Sequence, residues 1–233
     1  MDDNWSDVDK KFEANIRITK RGSDIDVRTT NNFTSKETEE INNKVINYVK
    51  NHYIKSGHIK TEEEKITFGA FDNSERILFL WSLTGNISDG EITFERITDI
   101  DIHPDTSKTF PKDLNIEWMA NNISRVHLTG DQLHQTFFIK DQKCYPYLIL
   151  WKMQVQYMFK TKSAEGSCNV SFEFQNYSKS KKDSAELVIS IDSISLAKGY
   201  KHLNKKRIET DILQRLDDLK TSSFLTHLES SKS

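Results

Sequence analysis

Three runs decide the fold: WKMQVQYMFK at residues 151–160, CNVSFEFQ at 168–175 and ELVISIDSI at 186–194. Each alternates apolar and polar residues. Val155/Tyr157/Phe159, Val170/Phe172/Phe174 and Leu187/Ile189/Ile191 recur at every second position, the period at which a strand turns its side chains to one face. The connectors TKSAEGS (161–167) and NYSKSKKDS (176–184) are too short for a parallel crossover, which needs a dozen or more residues. Three consecutive antiparallel strands are therefore expected. In that arrangement 161–167 and the segment after Ile194 share one end of the sheet, and 176–184 lies at the other.

Upstream, KITFGA (65–70), RILFLWSL (76–83), EITFERITDIDI (91–102), LNIEWM (114–119) and HQTFFIK (134–140) are short, rich in β-branched and aromatic residues, and separated by Asn, Asp, Gly and Pro. They read as further strands. Tyr145-Pro146-Tyr147 leads into another apolar run, and its aromatics, with Trp151, Tyr157 and Phe159, read as core rather than pocket. Nearer the N-terminus, EANIRIT (13–19) and DIDVRT (24–29) flank Lys20-Arg21-Gly22-Ser23 as a hairpin that turns Ile16, Ile18, Ile25 and Val27 inward. Thr34-Ser35-Lys36-Glu37 is a capping-box pattern. It predicts a helix over 35–56 with an apolar stripe of Ile41, Val45, Tyr48, Val49, His52 and Tyr53, stopping at Gly57.

A second helix is predicted over 205–220, with Ile208, Ile212, Leu216 and Leu219 opposite Glu209, Asp211, Arg215 and Asp217. The expected class is α+β: a largely antiparallel sheet of eight to ten strands, meander or sandwich-like, flanked by an N-terminal and a C-terminal amphipathic helix. The domain reading is a disordered acidic N-terminus at 1–12, one α+β domain at 13–220, and a partly helical or frayed Ser-rich tail at 221–233. With 36% hydrophobic residues, 13 Phe, 7 Tyr and 4 Trp, the chain can build one sizeable core.

No apolar run approaches the 20 residues of a membrane-spanning helix, and the acidic opening MDDNWSDVDKK is unlike a secretory leader. Cys144 and Cys168 allow one bridge at most, so no disulfide framework is implied. These features point to an intracellular protein, cytoplasmic or nuclear. A composition rich in Asn, Lys, Ile and Ser and poor in Gly and Pro suggests an AT-rich genome, such as a virus's.

The near-neutral total, 33 bases against 35 acids, hides a dipole. Residues 87–117 hold 8 acids and 3 bases, a net of −5, whereas 138–207 hold 13 bases and 6 acids, a net of +7. The meander brings Lys160 and Lys162 to the sheet end that also holds Lys198, Tyr200, Lys201, Lys205, Lys206 and Arg207. Such a rim suits phosphates of nucleic acid or acidic lipid, or an acidic protein surface. Lys predominates, and it acts as a point charge, so any nucleic-acid contact would be to the backbone and salt-sensitive.

Signatures of nucleotide-binding, serine-hydrolase, zinc-protease and EF-hand families are missing: there is no GxGxxG, Walker A, GxSxG, HExxH or CxxC. One stretch has metal-ligand character. In Asp99-Ile-Asp101-Ile-His103, Asp99, Asp101 and His103 would share one strand face while Ile100 and Ile102 enter the core, and oxygen and imidazole donors suit Mn²⁺, Mg²⁺ or Zn²⁺. Ligands spaced along one strand rarely converge without a partner from elsewhere. His127 and Asp131 have suitable chemistry, but spacing does not place them.

The leading expectation is a non-enzymatic interaction or structural module without a cofactor, with a protein partner or self-association. Its interface would be the stripe of Ile208, Ile212, Leu216 and Leu219 with Phe224 and Leu228. The alternatives are phosphate binding through the Lys-rich rim and metal-dependent hydrolysis at the Asp/Asp/His face.

Overall fold

A computed structural model describes residues 14–21, 24–31, 36–58, 65–87, 90–112, 114, 116–119, 123–177 and 182–230. The chain divides into two compact units, Met1–Glu64 and Lys65–Ser233, where the sequence reading draws one domain across 13–220.

In the first unit, β1 (Ala14–Arg21) and β2 (Asp24–Asn31) pair antiparallel, with Ile18 opposite Val27. Helix α1 spans Lys36–Lys55. The predicted hairpin and helix are both present, but Ile18 and Val27 are more than a third exposed instead of forming a core. The expected acidic tail at 1–12, the turn residues Gly22 and Ser23, and Thr34 and Ser35 of the capping box lie outside the described residues.

The second unit is an α+β fold around a five-stranded antiparallel sheet. Its strands are β3 (Ile92–Pro104), β4 (Val126–Thr129), β5 (Leu148–Lys160), β6 (Glu165–Phe174) and β7 (Leu187–Leu196), in the order β4-β3-β5-β6-β7. Residues 151–194 form the antiparallel meander that their alternation dictates, with Val155 opposite Val170 and Phe172 opposite Ile189. The inward set Val155, Tyr157, Phe159, Val170, Phe172 and Phe174 is almost fully buried. Burying each large side chain stabilises by about 1.5–3 kcal/mol. Gly166 is needed where β6 meets β7, because a Cβ there would stand 2.1 Å from the Ser195 carbonyl oxygen.

Helices α2 (Asn73–Ser82) and α4 (Lys205–Ser230) close the core, with α2 packed on β5 and α4 on β7. The Phe224 ring of α4 meets Phe71 and Phe79 beside α2, and Tyr157 donates a hydrogen bond to the Leu83 carbonyl. Ile212, Leu216 and Phe224 are buried here, and Ile208, Leu219 and Leu228 pack against the same core. The stripe predicted as an interface is therefore occupied by the chain's own sheet. The helix also runs ten residues past its expected end.

Four of the predicted strands are not strands among the described residues. Residues 76–82 belong to α2, with Leu83 as its C-cap, and Asp72 and Glu75 form a capping box at its start: the Asp72 side chain accepts from the Glu75 amide at 2.8 Å, and Glu75 accepts from the Asp72 amide at 2.8 Å. That reciprocal pair outweighs the strand preference of Ile, Phe and Trp. Residues 134–140 form a 3-10 turn, Leu133–Gln135, and a short helix α3, Phe137–Lys140, and 117–119 form another 3-10 turn. The 65–70 run gives only a bridge, Thr67 to Glu186, and a 3-10 turn at Phe68–Ala70. The described sheet thus has five strands, not eight to ten. No helix among the described residues is long and apolar enough to cross a membrane.

The buried face of α2 includes one cation. Arg76, 2% exposed, donates to the carbonyls of Phe68 and Phe71 at 3.2 and 2.8 Å and lies 3.4 Å from the Phe68 ring centre. Burial lowers its pKa to about 10.

Candidate functional site

Strict alternation cannot bury both Ile97 and Ile100, which are three residues apart, yet both are fully buried. A register shift between Ile97 and Asp99 in the β3–β5 pairing absorbs the extra residue. Beyond it, Ile100 and Ile102 face the core, and Asp99 and Asp101 share the opposite face.

Edge strand β4 completes the group. Its register sets Thr129 opposite Asp99 and His127 opposite Asp101. Val126 and Leu128 pack toward the core while His127 and Thr129 are exposed. The His127 ring therefore lies between two carboxylates, with Nε2 3.3 Å from Asp99 Oδ2 and Nδ1 3.2 Å from Asp101 Oδ1. Arg125 holds Asp101 Oδ1 through Nε and Nη2, each at 2.7 Å, and Thr129 donates to Asp99 Oδ2 at 2.9 Å. Asp101 is 1% exposed. A carboxylate buried that deeply requires charged or hydrogen-bonding partners, and here it has both Arg125 and His127.

One donor atom each from Asp99, Asp101 and His127 lies within 4.8 Å of the others. The sequence pointed to Asp99, Asp101 and His103, and the structure replaces the histidine. Residues two apart on a strand stand about 6.8 Å apart, whereas directly opposed cross-strand residues stand about 5 Å apart. His127 therefore reaches the carboxylates. His103 instead packs edge-on to Trp151 and Tyr177, with ring centres at 6.2 and 5.7 Å, and burial, followed by the nearby Arg125 charge, lowers its pKa. Asp131 pairs with Arg96 at 3.3 Å and takes no part.

A hydroxyl, an imidazole and a carboxylate also stand in a row, because Thr129 Oγ1 is 3.1 Å from His127 Nε2. Thr129 Oγ1 also donates to Asp99 Oδ2, so one carboxylate oxygen contacts both the hydroxyl and the ring. Arg125 and Thr129 carry no motif that sequence reading recognises. The alternation of VHLT before Gly130-Asp131 was the available signal for β4.

At one sheet end, Lys160 pairs with Glu165, Gly166 pairs with Leu196, and the Ala197 amide donates to the Glu165 carbonyl at 2.8 Å. These bonds bring the 161–164 turn and the 197–207 segment together. Lys160, Lys162, Lys198, Lys201, Lys205, Lys206 and Arg207 are all exposed there. Tyr200 is half-buried and packs against the core, which makes it a support for the rim. Asn204 caps α4, its Oδ1 accepting from the Lys206 amide at 3.0 Å, and the first turn of α4 contains no acid. Lys205 Nζ reaches the Ile194 carbonyl at 3.2 Å.

Comparison with protein-family models, with curated proteins and with solved structures finds no match for this chain.

Proposed function

We propose that the chain is a non-enzymatic binding module that docks the phosphate backbone of a nucleic acid through its basic rim. The observation that carries this reading is the convergence of seven exposed cations from β5, the 161–164 turn, the 197–204 segment and the first turn of α4. Three of them, Lys205, Lys206 and Arg207, sit against the positive end of a 26-residue helix. That placement costs roughly 0.3–1 kcal/mol per charge, and an anion at the rim reverses its sign. Tyr200 is engaged with the core and is not presented for base stacking, which favours duplex backbone over single strands. Lysine-rich contacts position a backbone without reading bases.

Fluorescence anisotropy with a 20-base-pair duplex tests the reading. If about six phosphates are neutralised, affinity falls about 10³-fold between 50 and 200 mM salt. A Lys205→Glu, Lys206→Glu protein should lose at least tenfold in affinity. Equal binding by the variant, or salt-independent binding, overturns the proposal. Binding to acidic vesicles with none to duplex would reassign the rim to lipid headgroups.

A further inference from the structure

We infer that Asp99, Asp101 and His127 form a Zn²⁺ site that ties edge strand β4 to β3. The donors are mixed, two carboxylates and one imidazole, contributed by two strands whose pairing sets Asp101 and His127 directly opposite. In a tetrahedral zinc site with bonds of about 2.0 Å, neighbouring ligand atoms stand about 3.3 Å apart. One donor atom from each of Asp99, Asp101 and His127 lies within 4.8 Å of the other two, at most about 1.5 Å beyond that spacing. Small side-chain rotations close it.

A second observation points to a cation. Asp99 Oδ1 is buried and has no hydrogen-bond partner among the described residues, while Oδ2 of the same carboxylate is held by Thr129 and His127. An orphaned buried oxygen is costly and calls for an ion or water. The carboxylate is thus held through one oxygen, while the other lacks a partner among the described residues. Arg125 plays the corresponding part for Asp101, fixing a ligand by hydrogen bonds from outside the ion's own shell, as is usual around metal-bound carboxylates. One ring nitrogen of His127 binds the ion and the other keeps its carboxylate contact, which fixes the tautomer. Three protein ligands leave the fourth position to water on the solvent side, where His127 is half exposed. Mg²⁺ fits poorly, since it demands near-octahedral oxygen coordination.

The test uses the full chain after EDTA treatment, titrated calorimetrically with Zn²⁺, and Co²⁺ added separately to read its visible absorption. The expected result is one equivalent of Zn²⁺, a tetrahedral Co²⁺ spectrum, and at least a tenfold affinity loss in both Asp99→Asn and His127→Ala. His103→Ala should bind as the parent does. Near-UV circular dichroism confirms that the variants are folded; Asp99→Asn is isosteric, and His127 is half exposed. No zinc uptake by the parent, or undiminished uptake by a folded Asp99→Asn, His127→Ala protein, overturns the assignment.

Discussion

Helices α1 and α4 carry the same kind of sequence signal, apolar residues at spacings of three and four, and the structure treats them oppositely. In α4, Ile212, Leu216 and Phe224 are 1%, 0% and 7% exposed. In α1, Ile41, Val45 and Tyr48 are 60%, 43% and 76% exposed. Periodicity determines that a stripe exists, and what covers it depends on residues far away in the chain. Helix α4 finds β7 and the Phe71 and Phe79 rings. The unit that holds α1 has a two-stranded hairpin as its sheet, and no apolar side chain among its described residues is buried. A two-stranded hairpin is marginal by itself.

The largest expected effect separates the two helices directly. Leu216→Asp puts a carboxylate into apolar surroundings and should cost at least about 4 kcal/mol, most of the stability of a domain near the lower end of the usual range of about 5–15 kcal/mol. Val45→Asp should cost no more than about 0.5 kcal/mol, the usual range for exposed positions. Urea unfolding of both proteins measures the contrast. Similar losses in the two variants would mean that α1 is covered in solution as α4 is.

Helix α2 lies between these cases, because its buried stripe contains a charge. Arg76 holds two carbonyls at the bends around Phe68 and Phe71, and removing it leaves both acceptors without their donor. Arg76→Ala should cost about 2–4 kcal/mol. Arg76→Lys should recover part of that loss, since an ammonium keeps the charge but cannot reproduce the planar fork. If Lys and Ala behave alike in thermal melts, the fork geometry is what matters. If Ala is neutral, the ring contact and carbonyl bonds contribute nothing net.

What was legible in the sequence follows the same division. The meander at 151–194 could be read because period-two alternation and short connectors are local signals, and the gathering of Lys160, Lys162 and 198–207 followed from it. The α2 region was misread because Ile, Phe and Trp favour strands and the Asp72-Glu75 box precedes them without a Ser or Thr to announce it. The candidate site was half legible. Asp99 and Asp101 stood out by spacing, but His127 joins them through the β3–β4 register, and a bulge at Thr98 in the β3–β5 pairing sets their face; neither leaves a mark in composition. The core role of Ile212, Leu216 and Phe224 could not be separated from an interface role, because either would produce the same stripe.

The smallest predicted effect concerns the edge of the core, where burial is partial. His134 sits between Trp81 of α2 and Phe94 of β3, with ring centres at 6.5 and 5.3 Å, and its Nδ1 is buried without a partner among the described residues. Burial, helped by the Lys140 charge, lowers its pKa below the ordinary value of 6.5. As pH falls past 6.5, the unfolded chain takes up this proton before the folded one does. The contribution of His134 is therefore present above that pH and lost as pH drops through its lower folded value. Stability measured by urea unfolding from pH 7.5 to 5 should fall more steeply in the parent than in His134→Gln, which cannot take up the proton. Taking the difference between the two curves removes the other histidines. Parallel curves would show that the imidazole is solvated in both states, and that partial burial at this edge, unlike the full burial of Leu216, leaves a polar group with access to water.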